Sequence, residues 1–411
     1  MAIESLWEEI SSCRICASGS LRDVLDLGNQ PPANSLYQPG EVPPSPIPLR
    51  LKFCETCSCL QLAVSVDPHH LFRRYLWVTG TSQTARKYST EFAIKALSKR
   101  VSDKKKSVIE IASNDGTFLR AFQKLGHEVL GIDPAQNIAE QACLDGIDTK
   151  ISFFNEDCAT EILAEKGPAD IIFARNVIPH VKEIHSVISG INILMTDDSL
   201  GIIEFHDSSL LLKEIQYDYI YHEHLFYFTI ASLQYLLNMH KLYIFDVGRS
   251  LISGGSWVVY FSKKQQNKSS RLLDAYKKEK AIGVSLLSEW RKFSKNAISH
   301  KSKLVSIVKQ SQAPIMAYGA SARSSTMLNF SGLNSNSISC IIDKNPLKRN
   351  LLTPGTGIPV ISLNEGFAKL KEQDLVLLLA WNFTEEITEE LRSLGYKGRF
   401  IRPLPNDPVI I

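Results

Sequence analysis

The stretch Val108-Ile-Glu-Ile-Ala-Ser-Asn-Asp-Gly-Thr117 begins as an apolar run, passes through a turn of small residues and continues into a helical pattern. This order predicts a β-strand followed by a ligand-binding loop, because ligands of open α/β sheets bind at the carboxyl ends of the strands. From residue 107 to residue 205, short apolar runs alternate with helical stretches, which predicts a parallel sheet with crossover helices. The predicted strands are residues 108–112, 129–132, 171–174 and 200–204.

The loop after the first of these strands favours a cationic cofactor. Glu110 and Asp115 bring carboxylates that suit the sulfonium and amino groups of S-adenosylmethionine (SAM) and would repel a pyrophosphate. The loop lacks the Gly-x-Gly-x-x-Gly pattern of dinucleotide sites, and Asp133 ends the next strand, where an acid binds ribose hydroxyls. An ordinary strand-to-helix turn is the alternative interpretation. The residues predicted to bind SAM are Glu110, Ala112, Ser113, Asn114, Asp115, Gly116, Asp133 and Asn176.

Two Cys-x-x-Cys pairs lie near the start of the chain, Cys13 with Cys16 and Cys54 with Cys57. Each pair makes a tight knuckle, and two knuckles together offer four thiolates to a tetrahedral zinc ion. Four protein ligands leave no open coordination position, so the pattern predicts a structural zinc. Buried free thiols are the alternative, and Cys59 is expected to be a bystander.

A second cluster of functional side chains is Tyr217-Asp-Tyr-Ile-Tyr-His-Glu-His-Leu-Phe-Tyr-Phe228. Within it, a phenol, two imidazoles and a carboxylate follow one another from Tyr221 to His224. Methylation of carbon requires removal of a proton next to a carbonyl and stabilisation of the resulting enolate, tasks that suit histidine and a hydroxyl donor. A buried, hydrogen-bonded core cluster is the alternative.

The length of 411 residues predicts two or three domains. Helical periodicity occupies residues 82–100, and residues 206–260 break the alternation before a strand around 257–261. The alternation restarts with strands at 315–318, 338–342, 375–379 and 400–401. The fold class is therefore α/β, with an N-terminal zinc-binding module, a central Rossmann-like methyltransferase domain and a second Rossmann-like α/β domain. The expected divisions are 1–75, 76–262, a helical connector at 263–310, and 311–411.

Charge and hydropathy argue against nucleic-acid and membrane partners. The net charge is +3, without the basic face that nucleic-acid binders concentrate. Apolar runs are far shorter than the roughly 20 residues that cross a bilayer. The start, Met1-Ala-Ile-Glu-Ser, lacks the features of a signal peptide, and paired cysteines then favour metal over disulfides. We expect a cytoplasmic protein, as a monomer or a small homo-oligomer.

Several motifs give the chain a family resemblance along nearly its whole length. Besides the paired cysteines, they are Pro32-Ala-Asn-Ser35, Glu110-Ile-Ala-Ser-Asn-Asp-Gly116, Asn176-Val-Ile-Pro-His-Val181, Ile220-Tyr-His-Glu-His224, Tyr318-Gly-Ala-Ser-Ala322, Leu328-Asn-Phe330, Pro354-Gly-Thr356 and Ala380-Trp-Asn-Phe383. The chain resembles the sugar C-methyltransferases of deoxysugar biosynthesis. The resemblance implies methylation at C3 of a nucleotide-linked 4-keto-deoxysugar, carried by dTDP or GDP.

The resemblance also implies residue roles. His224 would be the general base, and the sugar or enolate would be contacted by Tyr221, Glu223, His180 and Tyr75. Substrate binding would further involve His222, and the C-terminal domain would close over the nucleotide through Tyr318, Gly319, Ser321 and Asn329.

Three motifs depart from the pattern of that family. Ala112 replaces a glycine, Arg323-Ser324 replaces Lys-Gly, and Ser253-Gly-Gly-Ser-Trp-Val258 replaces His-Gly-Gly-Ser-x-Arg. Two other functions remain as alternatives. One is an RNA methyltransferase with a zinc ribbon. The other is a nicotinamide-dependent oxidoreductase that uses the C-terminal domain, because Tyr318-Gly-Ala-Ser321 opens a helix and Asp343 ends the next strand.

Overall fold

The structure is a computed structural model that describes residues 6–68, 71, 79–81, 83–99, 104–250 and 255–411. The N-terminal module is built from antiparallel strands, and β3 alternates buried and half-buried side chains along most of its length. Strand β3 pairs with β2 and β4, and β1 pairs with β5. The strands are β1 Trp7–Glu9, β2 Leu21–Gln30, β3 Ile47–Cys54, β4 Leu60–Leu62 and β5 Val64–Val66.

The central domain is a mostly parallel sheet in the order β12-β13-β10-β9-β6-β7-β8. Strands β6, β7, β9 and β10 confirm the predicted strands, with bounds that differ by up to five residues. The strands are β6 Ser107–Ile111, β7 Glu128–Asp133, β8 Thr149–Ile151, β9 Ala169–Arg175 and β10 Met195–His206, followed after β11 Phe226–Tyr227 by β12 Tyr243–Ser250 and β13 Ser256–Ser262. Strand β12 was not predicted; it forms an antiparallel edge with β13.

The order of this sheet reverses between β6 and β9. Strands β7 and β8 extend from β6 in one direction, and β9 and β10 extend in the other. A crevice opens at such a reversal, at the carboxyl ends of the strands. The helices of this part of the chain are α1 Gln83–Ser98, α2 Thr117–Lys124, α3 Gln136–Leu144, α4 Glu156–Lys166, α5 Ile184–Leu194, α6 Ser209–Glu214 and α7 Ile230–Met239.

The aromatic segment after β10 crosses from the central domain to the N-terminal module. It makes a 3₁₀ turn at Tyr217–Tyr219 and then joins the N-terminal sheet through β11, where Phe226 pairs with Gln61 and Tyr227 with Leu60. The carboxyl edge of the central sheet is therefore roofed by residues that are anchored on the zinc-binding module.

The predicted connector is helical, as α8 Ser270–Ile282 and α9 Leu287–Val308. Ser269 caps the first of these helices by accepting from the backbone N–H of Leu272, and Gly283 ends it in the left-handed conformation. The buried side chains of α9 recur at the spacing of one helix face: Trp290, Phe293, Ala297, His300, Leu304 and Val308.

The C-terminal domain is a second mostly parallel sheet, in the order β16-β15-β14-β17-β18-β19. Its four predicted strands are confirmed, and so is the predicted fold class. The strands are β14 Ile315–Tyr318, β15 Ile338–Ile342, β16 Val360–Ile361, β17 Leu375–Leu378, β18 Arg399–Arg402 and β19 Val409–Ile410. The helices are α10 Ala322–Ser331, α11 Leu363–Lys371 and α12 Thr384–Ser393. Across the described residues, no helix is both long and apolar enough to cross a bilayer.

One buried hydrophobic cluster runs through all parts of the molecule. It includes Cys54 of the N-terminal module, Phe205 of the central sheet, Trp290 of the connector and Ile401 of the C-terminal sheet. The C-terminal domain also contacts the N-terminal module through a bridge between Tyr37 and Leu352. The N-terminal module and the C-terminal domain are therefore in direct contact.

Candidate metal centre and candidate active site

The four predicted zinc ligands come together in space. The sulfur atoms of Cys13, Cys16, Cys54 and Cys57 all lie within 4.8 Å of one another. Two of the separations are 3.6 Å, from Cys13 to Cys57, and 3.5 Å, from Cys16 to Cys54. Zinc–sulfur bonds of about 2.3 Å in a tetrahedron place sulfurs about 3.8 Å apart, so the cluster fits a closed zinc site.

The two knuckles share one backbone geometry. In each, the residue four positions after the first cysteine has a left-handed backbone and donates its N–H to that cysteine's carbonyl at 2.9 Å; these residues are Ala17 and Ser58. Gln61 donates through Nε2 to the sulfur of Cys13 at 3.0 Å, which suits a thiolate ligand. Cys59 lies outside the cluster, as expected, and its thiol donates to the carbonyl of Leu60.

The predicted cofactor loop wraps tightly around the carboxylate of Asp133. Oδ2 of Asp133 accepts from the backbone N–H of Asn114, and Oδ1 accepts from that of Ala135, both at 2.8 Å. Ala112, Asn114 and Gly116 have φ values of 54°, 53° and 70°. The left-handed conformation at position 112 would suit glycine, because the Cβ of alanine adds steric cost there.

Three buried oxygen atoms at or near the carboxyl ends of the central strands have no hydrogen-bond partner among the described residues. They are Oε2 of Glu110, Oγ of Ser113 and Oδ1 of Asn176. Burial raises the pKa of Glu110 well above its usual range, although Arg175 opposes the shift. Buried acceptors are normally hydrogen-bonded. A ligand rich in donors and positive charge, such as the methionine end of SAM, fits this lining.

Two of the predicted cofactor residues are engaged elsewhere. Oδ1 of Asn114 accepts from the backbone N–H of Thr79 at 2.9 Å, and Oδ2 of Asp115 accepts from that of Gly80 at 2.8 Å. These side chains hold the turn before α1 over the loop. Asn114 and Asp115 therefore contribute to the crevice by holding the turn at residues 79–81 in place beside it.

His224 lies at the centre of a cluster of aromatic rings. Its Nδ1 is 2.9 Å from the carbonyl oxygen of Tyr219, and because a carbonyl only accepts, Nδ1 carries the hydrogen and Nε2 carries the lone pair. Burial and then His180 lower the pKa of His224 well below its usual value. Ring centroids of Tyr221, Tyr219 and His180 lie 3.9, 4.2 and 4.8 Å from that of His224. The buried imidazole thus favours its neutral form and has a defined tautomer.

Other predicted residues complete the cluster. His180 ends a 3₁₀ turn after β9, and burial lowers its pKa to about 4. Burial raises the pKa of Glu223 to about 7, and Oε1 of Glu223 accepts from Nδ2 of Asn34 at 2.6 Å. This contact gives the Pro32-Ala-Asn-Ser35 motif a physical role, since it ties the N-terminal module to the cluster.

The position of His222 does not support its predicted contact with substrate. Its Nε2 lies 3.2 Å from the carbonyl oxygen of Ile47, and its side chain is buried against the N-terminal sheet. Its neighbours Tyr221 and His224 face the ring cluster, so His222 serves to attach the roof to the module. Tyr75 and Ser253 lie outside the described residues.

Four residues that the sequence analysis did not single out belong to this site. His206 stacks on Tyr219 with ring centroids 3.9 Å apart. Arg175 forms a buried ion pair with Glu204, with 2.8 Å between Nε and Oε2. The signal was available, since Arg175, Glu204 and His206 all lie at or near the carboxyl ends of β9 and β10. Asp218 lies within the aromatic segment that the sequence pattern singled out, but no local pattern connects it to its partners Arg323 and Trp381.

The predicted residues of the C-terminal domain gather around the end of β14, and each has a local contact. Tyr318 donates to Glu390 at 2.8 Å, and Ser321 caps α10 by accepting from the N–H of Ser324. Gly319 has φ 97°, and a Cβ there would lie 2.5 Å from the Cβ of Ala380. Nδ2 of Asn329 donates to the carbonyl of Pro354 at 3.0 Å. These contacts shape the loop edge of the second sheet.

Comparison with known families agrees with this architecture. A zinc-binding domain model matches residues 13–72, a methyltransferase domain model matches residues 83–243, and a C-methyltransferase C-terminal domain model matches residues 251–405. C-methyltransferase NovU from Streptomyces niveus is 29% identical over 419 residues, which cover 99% of each chain.

Two methyltransferases are among the solved structures to which part of the chain is similar. Magnesium protoporphyrin IX methyltransferase (ChlM) from Synechocystis PCC 6803 with bound SAM has 13% identity and a TM-score of 0.33, over 44% of this chain and 80% of that chain. A SAM-dependent methyltransferase from Clostridium acetobutylicum has 9% identity and a TM-score of 0.36, over 44% of this chain and 92% of that chain.

The three domain matches follow one another along nearly the whole chain, and the NovU relative spans all of it. The protein belongs to the SAM-dependent C-methyltransferases that carry a zinc-binding domain. The predictions of the family, of SAM as cofactor and of a four-cysteine zinc site are thereby confirmed.

Proposed function

We propose that the protein transfers the methyl group of SAM to C3 of a nucleotide-linked 4-keto-deoxysugar, with dTDP or GDP as the nucleotide. The observation that carries the proposal is the tautomer of His224, whose Nδ1–H is bonded to the Tyr219 carbonyl. The lone pair on Nε2 and the lowered pKa give a base that is unprotonated at neutral pH. A base in this state suits removal of a proton next to a ketone.

The proposed reaction begins with transfer of the C3 proton to Nε2 of His224. The electron pair of the C–H bond moves toward C4, and negative charge develops on the ketone oxygen. The Tyr221 hydroxyl or the neutral His180 is proposed to donate a hydrogen bond to that oxygen. Bound SAM supplies an electrophilic methyl carbon; its C–S bond breaks as the new C–C bond forms, and S-adenosylhomocysteine leaves.

A keto sugar suits this site for electrostatic reasons. The ketone acidifies the neighbouring carbon, and buried, preorganised donors can then stabilise the enolate. An RNA substrate would call for a basic surface, whereas the net charge is only +3. We further propose the domain divisions given above, nucleotide binding by the C-terminal domain near Tyr318 and Asn329, and a cytoplasmic monomer or small homo-oligomer.

The experiment is incubation of the purified protein with SAM and a panel of dTDP- and GDP-linked 4-keto-deoxysugars. Mass spectrometry detects a gain of one methylene, and NMR of the product locates the new methyl group. A C4 ketone acidifies C5 as well as C3, so this assignment tests the position directly. Methyl transfer at C3 supports the proposal; transfer at C5 corrects the position, and no transfer to any member of the panel contradicts the proposed substrate class.

A further inference from the structure

The C-terminal domain binds the aromatic segment through hydrogen bonds to Asp218. Nε and Nη2 of Arg323, at the start of α10, each lie 3.0 Å from a different carboxylate oxygen of Asp218. The exposed fractions of the two side chains are 12% and 0%. The indole of Trp381 donates to Oδ2 of the same carboxylate at 2.8 Å. Asp218 is therefore a buried anion whose described donors all come from the C-terminal domain.

The turn that carries Asp218 also supplies the carbonyl that orients His224. Asp218 is the middle residue of the 3₁₀ turn Tyr217–Tyr219, and the Tyr219 carbonyl accepts from Nδ1 of His224 at 2.9 Å. The Arg323 guanidinium lies 5.5 Å from the centre of the Tyr219 ring. On the other side of the turn, Oγ1 of Thr326 donates to the carbonyl of Ile220 at 2.7 Å. Helix α10 thus contacts three successive residues, two in the turn (Asp218 and Tyr219) and the one that follows it (Ile220).

The strength of the Arg323–Asp218 ion pair depends on the planar shape of the guanidinium. A guanidinium binds both oxygens of a carboxylate in a fixed orientation, whereas a lysine ammonium is a single point charge. Loss of Arg323 would leave a fully buried carboxylate with Trp381 as its remaining described donor, and an uncompensated buried charge is strongly destabilising. The turn would relax toward solvent and carry the Tyr219 carbonyl with it.

We propose that Arg323 is a positioning residue for the methyl transfer: through Asp218 it fixes the Tyr219 carbonyl, and that carbonyl fixes the tautomer and the direction of the His224 ring. The inference rests on the proposed role of His224 as base. It makes the C-terminal domain part of the catalytic apparatus as well as a proposed binding surface for the nucleotide.

The test compares Arg323→Ala and Arg323→Lys in the full-length, zinc-loaded protein. We expect Arg323→Ala to lower kcat by about 100-fold, the cost of a displacement of about 1 Å in a catalytic group. The affinity for SAM and the KM for the sugar are expected to stay within about threefold of the wild-type values, because the substitution is not expected to remove a contact with either substrate. Added guanidinium ion should restore part of the activity of Arg323→Ala. The kcat of Arg323→Lys should lie between those of the wild-type protein and Arg323→Ala. A merely structural role would not produce this split or the rescue.

Arg392→Ala is the matched control in the same domain. Arg392 donates to the carbonyl of Tyr396 at 2.8 Å and packs over the Phe400 ring, so its loss costs stability without touching the turn. Selective ¹⁵N labelling of histidine reads the tautomer of His224 without substrate, with His224→Asn to assign the signal. We expect the Nδ1–H tautomer in the wild-type protein and in Arg392→Ala, and a mixture of tautomers in Arg323→Ala.

An unchanged kcat and an unchanged tautomer in folded Arg323→Ala would overturn the inference. If Arg323→Ala does not fold, Arg323→Lys and Trp381→Phe decide, and wild-type kcat in both overturns it. The proposed function fails separately: methyl transfer that survives in His224→Ala removes the base on which the inference rests. His224-dependent transfer that is indifferent to Arg323 overturns the positioning role alone.

Discussion

Asp133 and Asp343 use their carboxylates in the same way in two different sheets. In each, Oδ1 accepts from the backbone N–H two residues further on, and Oδ2 accepts from a backbone N–H in the loop of the neighbouring strand. All four distances are 2.8 Å, to Ala135 and Asn114 in the central domain and to Asn345 and Ala320 in the C-terminal domain. The two sheets therefore offer similar ligand-binding edges. The other side chains at each edge must determine which of them binds SAM.

The first prediction separates the two edges. We expect Asp133→Asn to weaken SAM binding by roughly 10- to 100-fold, because the charged acceptor that holds the proposed cofactor loop in shape is lost. Asp343→Asn, which loses an equivalent loop contact, should leave SAM affinity unchanged. Isothermal titration with SAM on both variants gives the answer. If Asp343→Asn weakened SAM binding and Asp133→Asn did not, SAM would bind at the C-terminal sheet, and its assignment to the central sheet would be wrong.

The zinc site predicts one metal ion per chain. Cys54→Ser removes a ligand, so we expect zinc content to fall and the free energy of unfolding to drop by about 4 kcal/mol or more, as for other lost metal sites. Cys59→Ser is the control, since Cys59 is buried but lies outside the sulfur cluster. Elemental analysis and thermal unfolding measure both effects. Full zinc content in Cys54→Ser would rule out the assigned ligand set.

Glu223 predicts a pH-dependent stability. Its pKa is raised by burial to about 7 from 4.5, so the folded state favours the protonated form. The free energy of unfolding of the wild-type protein should therefore fall as pH rises from the unfolded pKa to the folded pKa, and change no further above it. The contribution is at most about 3 kcal/mol.

Glu223→Gln keeps an acceptor for Asn34 and cannot ionise, so its stability relative to the wild-type protein should increase from about pH 5 to about pH 8. Urea unfolding at several pH values measures the difference. Burial raises the pKa of Glu279 to about 7 as well, and Glu279→Gln provides the comparison at a buried carboxyl outside the ring cluster around His224. A constant difference between Glu223→Gln and the wild-type protein would mean that Glu223 is ionised throughout.

Ala112 predicts a stabilising substitution. Its φ of 54° is left-handed, a conformation that costs an alanine about 1–2 kcal/mol and a glycine little. After allowance for the greater chain entropy of unfolded glycine, Ala112→Gly should stabilise the protein by roughly 0.5–1 kcal/mol. Differential scanning calorimetry would show a higher Tm. A lower Tm would mean that the loop relaxes to accommodate the alanine without strain.

The sequence predicted the elements with regular patterns and missed those with interrupted ones. Strands β6 and β14 are continuous apolar runs at the start of βα units, and both were predicted within a residue or two. Strand β2 was missed because two register irregularities, between Asp23 and Leu25 and between Asp26 and Asn29, break its alternation. Strand β3 was missed because Pro48 lies within it, and proline usually marks a strand edge or a loop.

The site was predicted only in part for a similar reason. A single sequence shows which functional side chains are adjacent along the chain, but it does not show in which direction each of them points. Tyr221 and His224 face the ring cluster, whereas His222 and Glu223 contact Ile47 and Asn34 of the N-terminal module. The pair of Asp218 and Arg323 is 105 residues apart along the chain, and no local pattern connects them.

The central claim is that Nε2 of His224 removes the proton from the carbon that accepts the methyl group. It is tested most directly by exchange of that proton in D₂O, with a dTDP-linked 4-keto-deoxysugar, S-adenosylhomocysteine and the zinc-loaded protein, followed by NMR. We predict exchange at C3 in the wild-type protein and in the control His240→Gln, and a loss of about 100-fold or more in His224→Gln. Exchange at the wild-type rate in folded His224→Gln would contradict the account.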